Sequence, residues 1–301
     1  MTAARILCTA TLLLPVVSFC ATSCKRPPDE EGVSSTKPRK KPLKSTAGPV
    51  TPPPPAPMPG CEEDNRQIYV VSLENDLYRF PPLKKTFTKI GTLDCPASGA
   101  TPFSMAVDRT GVAWILYNDG RLFKASTRDA TCSATTFVPR QRGIGLFGMA
   151  FVADGPGSAN DTLYVADDSL TPLGMSKLDP TTLVMAPPVP FDGTSGRFDL
   201  TGTGDGHVFG FDAHPPARLV EIDPSTGKIT REKSLGALSG ESAWAVAQYW
   251  GGFYVFSAGY GAHSQVTRFE WGTGKTDVIS ADVGFTVVGA GVSSCAPSAL
   301  Q

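Results

Sequence analysis

The sequence predicts an all-β protein, a five-bladed β-propeller closed by pairing strands from the two ends of the folded region. Three observations predict it. An aromatic-led segment recurs five times, with starts 44, 51, 46 and 41 residues apart. After each of the first four copies, further β-rich segments follow in the same order. The two ends of the folded region are complementary fragments of one such unit. Four antiparallel strands repeated every 40–50 residues or so is the period of a propeller blade.

The chain has 301 residues, 41% hydrophobic and 18% charged, with 31 Gly and 27 Pro. That is too apolar for a disordered protein, and rich in turn formers. The formal net charge of −1 argues against a protein held to nucleic acid by phosphate neutralisation. No apolar run is long enough to suggest a polytopic membrane protein.

Residues 1–23 read as a lipoprotein signal peptide. Arg5 supplies the positive start, Ile6–Phe19 a short apolar stretch, and Ala21-Thr22-Ser23 a run of small residues before Cys24. Cleavage before Cys24 and acylation of its thiol and new amino group are expected. Ala21 stands where bacterial lipoboxes usually carry Leu; an ordinary signal, leaving a secreted soluble protein, is the alternative. Residues 24–60 then form a Pro/Lys-rich, disordered tether. Residues 25–60 hold eleven prolines and seven basic residues against three acidic ones. Such a segment has no core to build and is expected to be an extended, solvated spacer.

The folded region, 61–301, is the repeat. Its first segments are Phe103–Val107, Phe147–Phe151, Phe198–Gly202, Trp244–Gln248 and Phe285–Gly289. The second segments are Val112–Tyr117, Thr162–Ala166, His207–Phe211 and Gly252–Phe256; the third are Leu122–Ala125, Met175–Leu178, Leu219–Ile222 and Val266–Phe269. A weaker fourth segment completes each unit, for example Ile229–Leu235. A β-sandwich does not reproduce this order of aromatic, turn, hydrophobic strand and charged strand. The last unit stops after its first strand, Phe285–Gly291, while the material after Cys61 begins with a second strand, Ile68–Ser72. An open blade edge leaves unpaired backbone, so the C-terminal strand is expected innermost in the first blade.

With Cys24 committed to lipid, Cys61, Cys95, Cys132 and Cys295 remain after the signal. Four cysteines allow three pairings. Cys61 and Cys295 flank the gap where other blades have a covalent turn, so a Cys61–Cys295 disulfide replaces that turn and Cys95 pairs with Cys132. Metal-bound thiols are disfavoured because no Cys-x-x-Cys spacing occurs.

The stretches Phe103–Trp114, Leu200–Phe211, Ser242–Ala247 and Val283–Pro297 resemble a family of predicted envelope lipoproteins abundant in myxobacteria. The resemblance covers about residues 95–297. It implies a propeller-like repeat and an envelope location, and it brings no assigned activity.

No nucleophile-elbow, zincin, Walker or dinucleotide motif occurs, so no catalytic constellation and no cofactor are predicted. Gly202–Gly206 reads as a turn between strands rather than a phosphate loop. His207, His214 and His263 fall near turns and lack metal-ligand spacing, so they read as surface histidines. In the innermost strands, alternation sends the aromatic positions into the packing between blades. The small or polar alternates, among them Ser104, Gly148, Asp199, Thr201, Ala245 and Val288, are expected to line the central channel. Asp199, Thr201 and Ser104 are the channel candidates, and Asp199 is the one carboxylate among the alternates. A glycosidase needs two facing carboxylates on that floor.

The expected function is an envelope-anchored binding or scaffolding module, a monomer with a lipid anchor in a bacterial membrane and a protein or glycan partner. Lys25 after the acylated Cys points to the outer membrane. The alternative is a lactonase- or glycosidase-like propeller enzyme with a channel-bound Ca²⁺ held through Asp199.

Overall fold

Nineteen strands run through the described residues, most of them on the alternating segments of the repeat. The computed structural model describes residues 61–192, 196–238 and 241–298, all within the unit Pro55–Gln301. The expected signal peptide, Cys24 and the tether lie outside the described residues.

The strands form five antiparallel sheets, one per blade. Blade one holds β1 (Ile68–Ser72), β2 (Asp76–Phe80) and β3 (Thr88–Thr92). Blade two holds β4 (Pro102–Val107), β5 (Val112–Tyr117), β6 (Leu122–Ser126) and β7 (Cys132–Ala134). Blade three holds β8 (Phe147–Ala153), β9 (Asp161–Asp167) and β10 (Met175–Leu178). Blade four holds β11 (Asp199–Gly202), β12 (Val208–Asp212), β13 (Arg218–Ile222) and β14 (Ile229–Ser234). Blade five holds β15 (Ala243–Tyr249), β16 (Gly252–Ala258), β17 (Gln265–Glu270) and β18 (Thr276–Ser280).

The last strand, β19 (Val287–Val292), returns to blade one and pairs antiparallel with β1, from Ile68 opposite Val292 to Ser72 opposite Val287. The expected closure is therefore present. Its upstream boundary differs from the sequence expectation. Phe285 precedes the strand, and its ring stacks on Tyr78 with centroids 4.1 Å apart. Two disulfides, Cys61–Cys295 and Cys95–Cys132, complete the covalent frame.

Blade three departs from the repeat by having three strands. In place of a fourth, Met185 and Val189 make isolated bridges to Leu178 and Met175. Pro187, Pro188 and Pro190 in this stretch have no amide to donate, so a continuous ladder cannot form.

The core is five wedges between neighbouring blades. Trp114, Phe147 and Leu163 fill the wedge between blades two and three, and Phe209, Phe253 and Trp271 the one between four and five. Each such side chain contributes about 1.5–3 kcal/mol on burial. The inner-strand alanines among the expected lining residues pack in these wedges. Ala106 packs towards blade three, Ala150 towards blade four, and Ala245 and Ala247 towards blade one.

The neighbouring inner strands β8 and β11 approach closely. A Cβ on Gly148 would lie 2.3 Å from the Phe198 carbonyl, and one on Gly202 2.2 Å from that of Phe151. We call the end where the inner strands begin the upper end. At the lower end, the C-terminal residues tie blades one, two and three together. Arg109 makes a bidentate ion pair with Asp161, and the Ser294 hydroxyl accepts from Arg109 at 2.9 Å while donating to Asp161 at 2.8 Å.

Candidate functional site

What the close approach of inner strands leaves open is a cavity of about 270 Å³ at the upper end. Its walls come from the first residues of the inner strands and from loops beside them: Thr101, Pro102, Phe103, Asn118, Phe198, Ser242, Ala243, Trp244, Leu73 and Val288. Three of the five aromatics that begin the repeat thus wall the cavity. A bulge between Pro102 and Ser104 interrupts pairing where Phe103 lies.

Ser104 and Asp199 meet in the cavity lining. Both are buried, and the Ser104 hydroxyl donates to Asp199 Oδ1 at 3.2 Å, joining blades two and four across the axis. Gly148 of blade three makes this reach available. A Cβ there would lie 3.1 Å from Asp199 Oδ1 and closer still to the Asp199 backbone. The other oxygen, Oδ2, accepts from the Val246 amide of blade five at 3.0 Å.

The Asp199 carboxyl is held by the Val246 amide and the Ser104 hydroxyl, and burial lifts its pKa to about 8 against the lowering effect of these hydrogen bonds. Asp199 is therefore a neutral acid near pH 7, a form able to donate a hydrogen bond. Thr201, the third channel candidate, lies deeper. It is outside the cavity lining, and its hydroxyl oxygen accepts from the Gln248 amide at 2.9 Å.

A second carboxylate enters the cavity, one that alternation along the inner strands did not find. Asp168 follows β9, in the loop to β10, and forms a bidentate pair with Arg197 through contacts of 3.1 and 2.7 Å. Burial raises the Asp168 carboxyl above its ordinary range, and the Arg197 guanidinium only partly offsets this. Arg197 also contacts His214 Nε2 at 3.0 Å, while His214 Nδ1 lies 2.7 Å from Asp212. Arginine only donates, so Nε2 must accept and Nδ1 carries the ring proton to Asp212. His214 also meets Trp244 edge to face, with centroids 5.1 Å apart. Asp168, Arg197, His214 and Trp244 thereby form one braced side of the mouth.

The other histidines are each placed against one carboxylate, His207 against Glu221 at 2.6 Å and His263 against Asp282 at 3.0 Å. Among the described residues, no three His, Cys, Asp or Glu side chains gather as a metal site. Gly202–Gly206 is the turn between β11 and β12, closed by the Thr203 amide bonding to the His207 carbonyl at 3.1 Å.

The upper end also carries exposed apolar side chains around the cavity. Leu73 lines it, and Leu170 and Leu173 stand on the Asp168 loop, 88% and 42% exposed. Tyr260, on the β16–β17 loop, is 99% exposed. The arrangement suits capture of a small group at the centre with apolar contact around it.

No family model matches the sequence, and a search of curated proteins returns no match. Solved structures do return similarities. A protein of unknown function from Bacteroides caccae has 13% identity, with 75% of this chain and 98% of that chain covered and a TM-score of 0.47. TolB from Acinetobacter baumannii has 14% identity, 74% and 55% coverage and a TM-score of 0.43. The Dos1 propeller has 10% identity, 77% and 71% coverage and a TM-score of 0.40. At these values the likenesses carry no statement about activity, and the five-bladed ring rests on the strand pairing itself.

Proposed function

We propose that this chain is a binding module, displayed by a lipid anchor at the bacterial outer membrane, whose upper face holds a protein or glycan partner. The single observation that carries the reading is the upper-end cavity with exposed Leu73, Leu170, Leu173 and Tyr260 around it. Cys61, where the proline-rich stretch joins, belongs to the opposite end, because it precedes β1, which enters from below. The binding face therefore lies at the end of the ring opposite Cys61. The monomeric, cofactor-free state expected from the sequence is part of the same proposal.

The test is capture from bacterial envelope extract by the full chain and two variants. Leu170→Asp combined with Leu173→Asp should lose the partner, whereas Leu83→Asp, at an exposed lower-end site, should retain it. Equal capture by all three proteins would refute the upper face as the binding surface.

A second reading has one specific observation in its favour. Asp168 and Asp199 share the cavity, one ion-paired and the other holding its proton. This resembles the division between base and acid in a glycoside hydrolase. Turnover of a chromogenic aryl glycoside or lactone, abolished by Asp199→Ala, would replace the binding reading with this one.

A further inference from the structure

The upper-end cavity combines two features that restrict what it accepts. Its walls are largely apolar, with Phe103, Phe198, Trp244, Leu73 and Val288 among them. Its charges are internally cancelled, because the Arg197 guanidinium is held bidentate by Asp168. A ligand group carrying its own charge would lose hydration there without gaining a free counter-charge, which lowers its affinity relative to a neutral group of the same shape.

The lining presents a donor. Val246 donates to Oδ2, so in the protonated acid the proton belongs on Oδ1, and the 3.2 Å contact through which Ser104 donates to the carboxylate then reverses, Oδ1 donating to the Ser104 oxygen. The Ser104 hydroxyl is then free to turn its own proton into the cavity. The groups acting on the Asp199 carboxyl are the Ser104 hydroxyl from β4, the Val246 amide from β15, the Leu200 amide of its own strand and the Asp168 carboxylate after β9, while Arg197, before β11, shares the cavity lining and Gly148 on β8 brings no side chain. Asp168 disfavours a second negative charge nearby, consistent with a neutral Asp199.

We propose that this cavity is specific for an uncharged, flat or apolar group tipped by a hydrogen-bond acceptor, such as an amide carbonyl, which Ser104 meets with the support of Asp199. This rests on the upper face being the binding surface and adds the chemical class of the group that enters. The volume of about 270 Å³ suits one ring-sized group rather than a long chain segment.

Three isosteric probes decide it: benzamide, benzoate and benzamidine, which share size and shape and differ in charge. Their binding to the full chain is read from amide NMR shifts at Ser104, Gly148 and Val246. Benzamide should bind at least about tenfold more tightly than either ion near pH 7. Ser104→Ala should weaken benzamide by about fivefold or more, the loss of one hydrogen bond. Affinity in the unmodified chain should fall above about pH 8, and Asp199→Asn, whose carboxamide donates to Ser104 and accepts from Val246 without ionising, should abolish that fall.

Equal or tighter binding of benzoate would overturn the proposal in favour of an anion site on Arg197, and tighter binding of benzamidine in favour of an ionised Asp199. Absence of benzamide shifts at the cavity up to about 10 mM would overturn it as well. These outcomes are separate from the capture experiment. A partner lost with Leu170→Asp and Leu173→Asp but indifferent probes sinks only the cavity chemistry. Benzamide selectivity without any face-dependent partner sinks only the binding face.

Discussion

Asp199 ties a single ionisation to the stability of the ring. Its pKa of about 8 in the folded chain lies above the ordinary value of 3.8. Below the ordinary value both states are protonated and the folded state keeps its full advantage. As pH rises between the two values, the unfolded chain releases the proton and the folded chain retains it, so stability falls with pH and levels off above about 8. Asp199→Asn removes this slope. Its melting temperature, relative to that of the unmodified chain, should therefore be higher at pH 8 than at pH 5; a difference independent of pH would show that Asp199 ionises normally. Asp199 was legible in the sequence because alternation singled out a carboxylate among small residues. Asp168 was not, because aspartates often stand at strand ends to build turns. Its neighbour Asp167 does that, accepting from the Ser169 and Leu173 amides at 3.2 and 2.8 Å. Nothing local to the sequence marks Asp168 as the one that turns towards Arg197, since that contact joins separate blades.

At the scale of elements, strand order was legible and strand ends were less so. Period and alternation specify which segments pair, and the closure by β19 follows from them. Boundaries depend on contacts between blades, as with Phe285, which leaves the strand to stack on Tyr78. The missing fourth strand of blade three was signalled by Pro187, Pro188 and Pro190, whose effect on pairing the repeat pattern obscured. The contribution of β19 is testable against that of its disulfide. Cys295→Ala should lower the melting temperature and leave a folded β-protein. Deleting residues 283–301 removes Val287, Ala290 and Val292 from the wedge between blades five and one, at about 1.5–3 kcal/mol for a fully buried valine. It also leaves β1 without its inner partner, so the deletion should aggregate. A soluble deletion variant with an unchanged far-ultraviolet circular dichroism spectrum would refute the role of closure.

At the scale of the molecule, the small residues of the inner strands were read from the sequence as the lining of a tube. Ser104, Gly148, Asp199 and Val288 do line the cavity at the upper end, while Ala106, Ala150, Ala245 and Ala247 pack between blades. Placement in the cell is tested through Cys24. Cys24→Ala should prevent acylation and shift the protein out of the membrane fraction, or stall its precursor; a normally processed, membrane-bound product would refute lipidation.

The Cys61–Cys295 bridge has a mechanical consequence for any chain held by its N-terminal side. A pull arriving at Cys61 meets the bridge before it reaches β1. The load then divides between β1 and β19, which are neighbours with their near ends at the same end of the blade, Ile68 opposite Val292. Both strands are drawn in one direction, so the traction neither slides one past the other nor parts them. The seam at which hydrogen bonds close the ring is shielded from the force, which passes into the blade as a whole.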